Sequence, residues 1–226
     1  MLDPTRHIGI FNASHLDVCL IGAGGIGAIT AMTLGKMGVH TLDIFDDDRV
    51  DQVNLATQFH QVSDVGLCKA LTVARSTRDF SLGCVNGYPE RVGRQGKLRP
   101  ADVFISAVDS IASRQAVWHS VKNAAPVDNP SFPNVWYLDA RMGAEVFELF
   151  TVDMKEPDWY EASISRANDD DMPDLPCTSK ATIYTANMAA GHIGVAIRRI
   201  LTLVQKPGFL THDILNNQIT FLEMEG

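Results

Sequence analysis

The residues with types and spacing suited to chemistry begin at Gly22-Ala23-Gly24-Gly25-Ile26-Gly27, a G-x-G-x-x-G run. Glycine lets a backbone turn tightly and come close to a ligand, and the free N–H groups at a helix start point at negative oxygens. Asp46 stands 24 positions after Gly22. That is near the roughly 20-residue separation at which an acid closing the second strand holds a ribose hydroxyl. The pattern predicts an adenine-nucleotide site, with a purely structural glycine turn as the alternative. Asp46-Asp47-Asp48, Asn54-Leu55-Ala56-Thr57-Gln58 and Lys69 follow. Three adjacent carboxylates are too acidic to be buried unpaired, which favours ligand or cation contact.

These residues need elements to hold them. Leu16-Asp17-Val18-Cys19-Leu20-Ile21 is apolar and branched, as a strand buried on both faces should be. A helix is expected from Ala28 to Met37, ended by Gly38, and a second strand from His40 to Phe45. Asp51 to Ser63 is polar and irregular, a loop over the cleft. A helix is expected from Asp64, capped by Ser63 or Asp64, and a weaker strand over Ser81 to Tyr88. Ala101 to Val108 predicts a buried strand ending at Asp109, then a helix from about Ile111 to Lys122. Val135 to Asp139 and Ala144 to Val152 predict two strands joined by a turn at Arg141-Met142-Gly143. Residues 153–176 are crowded with acids and broken by prolines, predicting a crossover loop. Thr178 to about Leu203 carries Ile183, Ala186, Ala190, Ile193, Ile197 and Ile200 at helical spacing, and its small residues predict close packing on another element. Asp213 to Met224 is a candidate edge strand. The fold class is α/β: a Rossmann-like, mostly parallel open sheet with helices on both faces, an antiparallel extension and a crossover loop.

Bulk properties narrow the choice. The 226 residues suffice for one domain with a real core, and 46% apolar with 20% charged residues is a globular composition. A net charge of −8 opposes attraction to a phosphate backbone, so nucleic acid is not an expected partner. Apolar stretches fall short of the ~20 residues of a membrane helix, and the N-terminus has no apolar signal core, so a cytoplasmic location is expected. Cys19, Cys68, Cys84 and Cys177 form no C-x-x-C pair, which argues against structural zinc and a disulfide framework.

Taken together, the stretches Gly22 to Gly27, Asp46-Asp47-Asp48-Arg49-Val50, Asn54 to Gln58, Asp64-Val65-Gly66-Leu67-Cys68-Lys69, and Ser106-Ala107-Val108-Asp109-Ser110 with Arg114 resemble the ThiF/MoeB-like adenylyltransferases. That family comprises the thiamine and molybdopterin carrier adenylyltransferases and the adenylation domains of ubiquitin-activating enzymes. The resemblance is strong over residues 16–125 and looser over 135–204. It implies one adenylation domain over 1–226, with a nucleotide-binding half (16–125) and a carrier-binding half (135–226, crossover 153–176). It implies attack on ATP by the C-terminal glycine carboxylate of a ubiquitin-like or sulfur-carrier protein, a homodimer, and a downstream conjugating protein. By similarity Gly22, Gly24, Gly25, Gly27, Asp48 and Gln58 belong to the nucleotide site, Asp46 holds the ribose, Asn54 and Lys69 meet the phosphates, and Asp109 ligates Mg²⁺. Each has a plainer alternative: Lys69 as a solvent-facing helix lysine, Asp46 as a surface acid, Asp109 as an N-cap, Asn54 as a loop residue satisfying its own backbone.

Two positions depart from the family pattern: Thr57 where an arginine is usual, and Ser110 where an asparagine follows the metal-binding Asp. Arg6, which the resemblance places where a dimer partner can supply an arginine, is one substitute; Arg49 and Arg141 are others. Cys177, before Thr178-Ser179-Lys180, resembles the cysteine that takes the carrier as a thioester, and a helix N-terminus there would lower the thiol pKa. A small buried hydrophobe is its alternative. Three other functions share the cradle: an NAD-dependent oxidoreductase, a tRNA-modifying dehydratase, and a non-catalytic partner subunit of an activating complex.

Overall fold

The computed structural model describes residues 7–93, 97–168 and 181–224. Eight strands form one sheet in the order β3-β2-β1-β4-β5-β6-β7-β8. Five are parallel: β1 (Asp17–Ile21), β2 (Thr41–Phe45), β3 (Cys84–Tyr88), β4 (Val103–Ser106) and β5 (Trp136–Gly143). The antiparallel extension runs on through β6 (Val146–Asp153), β7 (Gly208–Asp213) and β8 (Gln218–Glu223). Among the described residues the α-helices are α1 (Gly25–Met37), α2 (Lys69–Arg78), α3 (Ile111–Ala124), α4 (Asp158–Arg166) and α5 (Ile183–Leu201). This is the Rossmann-like sheet and antiparallel extension that the sequence predicts. None of these helices is long and apolar enough to cross a membrane.

Alternation along the strands divides the core in two. Leu20, Leu42, Ile44, Ile105 and Leu138 face α1, α2 and α5. Ile21, Phe45, Phe104 and Tyr137 face the other way, against Trp118 of α3 and Tyr160 and Ile164 of α4. Both faces of the central strands are therefore dry, which is why they read as unbroken apolar runs. α1 ends at Gly38 in the left-handed region (φ 77°), its N–H returning to Leu34 and Gly35. At Gly194 of α5 a Cβ would meet Thr33 Cγ2 at 3.4 Å, the close packing expected of that helix, here against α1.

Several boundaries differ from the sequence expectation. α2 starts at Lys69 and not Asp64, because Gly66 takes φ 86° and breaks the chain direction. Asp64 instead closes a short 3₁₀ turn, accepting the Gln61 N–H at 2.9 Å while pairing with Arg75. The loop over 51–63 also holds a 3₁₀ turn at Gln52–Ala56. β5 runs through Arg141-Met142-Gly143, and the turn falls on Ala144, whose φ is 52°. The acidic crossover contains α4, driven by Tyr160 and Ile164, four apart and both buried. α5 begins at Ile183, where the Thr182 side chain accepts the Thr185 N–H, later than Thr178. The tail forms a hairpin of two strands, β7 and β8.

One packing contact carries a titratable group. His192 of α5 stacks on Phe147 of β6, and its Nε2 lies 2.9 Å from Nδ1 of His212 on β7, itself 4% exposed. Burial, then His212 and Arg199, hold the His192 pKa below the usual imidazole value of about 6.5. The unfolded chain thus binds this proton more tightly than the folded one, so the contribution to stability is complete above that value and declines as pH falls below it. We expect the urea midpoint to fall as pH is lowered from 6.5, and the fall to be smaller in His192→Gln; equal slopes would contradict the assignment.

Candidate functional site

β1 and β4 are neighbours whose following helices turn to opposite faces of the sheet, which opens a crevice at their C-terminal ends. The glycine turn lies on this crevice. Gly22 has φ 100°, and a Cβ there would come 2.6 Å from the Ala107 carbonyl oxygen. A Cβ on Gly27 would strike the Gly22 oxygen at 1.9 Å, so Gly27 lets α1 pack directly behind the turn. Gly24 caps α1 without a side chain, and the first turn has no acid. The leading amides of α1 therefore keep their positive field.

A cleft of about 410 Å³ lies over this turn, lined among others by Gly22, Gly24, Gly25, Asp46, Asp48, Gln58, Lys69 and Asp109. Asp46 Oδ2 accepts the Ala23 N–H at 2.7 Å and Oδ1 accepts the Asp48 N–H at 2.8 Å, tying the end of β2 to the glycine turn. Burial raises the Asp46 pKa, against the opposing pull of those two amides and Lys69. Lys69, the first residue of α2, is buried and its Nζ lies 2.9 Å from Asp48 Oδ2, so it is not solvent-facing. Asp109 is exposed on the rim, and the N-cap of α3 is Ser110, which accepts the Ser113 N–H. Asp109 is therefore not itself the N-cap residue. Gln58 Oε1 is buried with no hydrogen-bond partner among the described residues.

The other candidates lie elsewhere. Asn54 does not line the cleft; its Oδ1 accepts the Asp51 N–H at 2.9 Å in a capping box. Gly27 sits behind the turn. Arg49 donates to the Gly66 carbonyl and stays outside the cleft, and Arg141 is bound to Asp139. Arg6, Cys177 and Lys180 lie outside the described residues. Thr57 lines the cleft at the position where the family pattern carries an arginine, and the arginines that line it among the described residues are Arg91 and Arg114. Arg91 donates to Ser113 Oγ at 3.1 Å. It follows the parallel strand β3 by three residues, and position at the C-terminal edge of such a strand is the signal by which it could have been found.

Behind the wall lies a charged cluster that sequence reasoning missed. Asp139 of β5 is 0% exposed. Its Oδ1 accepts from Arg114 Nη1, and its Oδ2 from Arg141 Nε (2.8 Å) and the Tyr160 hydroxyl (2.8 Å). Burial alone would raise the Asp139 pKa, but Arg114 and then Arg141 outweigh it and hold the carboxyl below its ordinary range.

The model of the ThiF family matches residues 7–225. Ubiquitin-like modifier-activating enzyme 5 of Branchiostoma floridae is 29% identical over 116 residues, covering 44% of this chain and 29% of that protein. The adenylyltransferase and sulfurtransferase MOCS3 of Dictyostelium discoideum is 31% identical over 121 residues, covering 50% and 28%. The chain thus spans less than a third of the length of these curated relatives. The crystal structure of MccB from E. coli with ATP has the same fold, with a TM-score of 0.67 at 15% identity, covering 94% of this chain and 65% of that one.

The glycine geometry is testable. Gly22→Ala should cost on the order of 2 kcal/mol or more from its positive φ alone. Gly24→Ala, whose Cβ would meet nothing closer than 3.7 Å, should fold normally. Denaturant unfolding distinguishes them, and equal losses would show that the turn is not as described.

Proposed function

Because the chain belongs to the ThiF family, we propose that it activates the C-terminal glycine carboxylate of a small ubiquitin-like or sulfur-carrier protein with ATP. The carboxylate oxygen bonds to the α-phosphorus, the bond from that phosphorus to the bridging oxygen breaks, and pyrophosphate leaves, giving an acyl-adenylate. The observation that carries this reading is that Lys69 and Asp109 line one cleft with Gly22, Gly24, Gly25 and Asp46. A carboxylate attacking a polyphosphate brings anions together, so positioning and charge neutralisation are the main catalytic tasks. In this reading the α1 amides and Lys69 hold the phosphates, while Asp46 and the unpartnered Oε1 of Gln58 meet ribose hydroxyls.

The cleft's donors also fit magnesium. Asp109 offers an exposed carboxylate, and oxygens of Asp46, Asp47 and Asp48 lie within 4.8 Å of one another. Oxygen ligands of this kind suit a hard divalent cation. Asp109 would hold the ion, which supplies neutralisation of phosphate charge when bound.

In the same reading the protein is a cytoplasmic homodimer whose Arg6 serves the partner's cleft, Cys177 takes the carrier as a thioester, and a conjugating protein acts downstream. Thr57 supports a second reading, a non-catalytic partner subunit, since the cleft lacks a guanidinium at that position.

Pyrophosphate exchange into ATP, with and without a carrier ending in Gly-Gly, tests the activity. We expect carrier-dependent exchange, reduced roughly 10²–10³-fold in Lys69→Ala. ATP binding without exchange would favour the partner-subunit reading. Asp46 gives a pH signature: its ionised form is the stronger acceptor for the two amides and a ribose hydroxyl, and its pKa is raised. ATP affinity should therefore weaken on acidification at a pH above that of an ordinary aspartate, and Asp46→Asn should flatten the profile.

A further inference from the structure

We propose that Asp139, a residue outside the cleft, is a positioning residue that sets the Asp109 turn through Arg114. The assignment rests on the nucleotide reading of the cleft for its functional consequence, and on geometry alone for the coupling.

Asp109 lies on the short segment between the end of β4 and the N-cap of α3. The carbonyl of the preceding residue, Val108, accepts from Arg114 Nη2. The same guanidinium donates through Nη1 to Asp139 Oδ1 and, at 3.1 Å, to the Ala140 carbonyl. Arg114 is 5% exposed, so its charge has little water to turn to and its place is dictated by these acceptors. One planar fork thus joins the turn before Asp109 to β5, a linkage that the rigid geometry of arginine can make and the single ammonium of lysine cannot.

Asp139 is itself held from the far side. Arg141 approaches its Oδ2 through Nε and through Nη2 at 2.7 Å, and Tyr160 donates from α4. The Tyr160 ring is fully buried and packs edge-on against Trp118, Tyr137 and Phe150. The carboxylate is therefore fixed by α3, α4 and β5 together, and cannot follow a displaced turn. Of the two arginines that share this carboxylate, Arg114 is the one that lines the cleft.

The test is a set of crystal structures of wild type, Asp139→Asn and Arg114→Lys, with calorimetric titration of ATP and magnesium into each. Arg114→Lys is included because Asp139→Asn removes the buried carboxylate that two arginines share and is the variant more exposed to misfolding. We expect the 107–110 turn to move by about 1 Å relative to β4, and nucleotide affinity to fall roughly tenfold to a hundredfold. A turn that superposes on wild type in every variant that folds would overturn the proposal, as would a displaced turn with unchanged affinity. Turn displacement is read without nucleotide. Should wild type bind no ATP, the adenylation reading fails separately, and the turn still decides whether Asp139 sets it.

Discussion

The cleft depends on how closely two backbone segments pass at the ends of β1 and β4. Gly22 runs against the Ala107 carbonyl, and Gly27 against Gly22, with no room at either place for a Cβ. That approach aims α1 at the crevice and leaves its leading amides uncapped by any side chain. It also brings the Asp109 segment, which follows Ala107, to the opposite rim of the same space. Asp46 then locks the arrangement from the β2 side, through the Ala23 N–H. The shape of the glycine turn is thus a consequence of backbone packing, and charged side chains are added around it.

Those side chains are largely paired with one another. Lys69 rests on Asp48, Arg114 on Asp139, and Arg91 on a neutral hydroxyl of Ser113. Such an arrangement keeps opposite charges close in a partly dry site, where unpaired charge is costly. In the proposed reading, a polyphosphate entering the cleft would compete with Asp48 for Lys69. A divalent cation near Asp109 and the Asp46–Asp48 run would offset the acids that otherwise repel it.

What the sequence reveals follows what local pattern can encode. β1, β4 and α1 are legible because branched apolar runs and glycine spacing are local signals, and Asp46 and Lys69 are legible because they stand at strand and helix ends. Arg141 reads as a turn residue, since a charged side chain in a strand makes sense only once Asp139 beside it is seen to be buried. Asp139 itself is silent: its partners Arg114 and Tyr160 lie 25 positions upstream and 21 downstream. Asn54 reads as a ligand residue but closes its own capping box, a local hydrogen bond that competes with any role at a distance. α4 is hidden because Asp158 and Glu161 mask the two buried residues that drive it. β8 is the edge strand expected within Asp213 to Met224, whereas β7 is missed because its short run Gly208–Asp213 behind Pro207 carries no alternation of polar and apolar residues.

The central claim is that this cleft takes a nucleoside triphosphate. Its most direct measurement is a calorimetric titration of the purified chain with ATP, with and without magnesium, against NADH as the competing ligand class. The account predicts saturable ATP binding that strengthens with magnesium, and no NADH binding. Uptake of NADH with no response to ATP would contradict it.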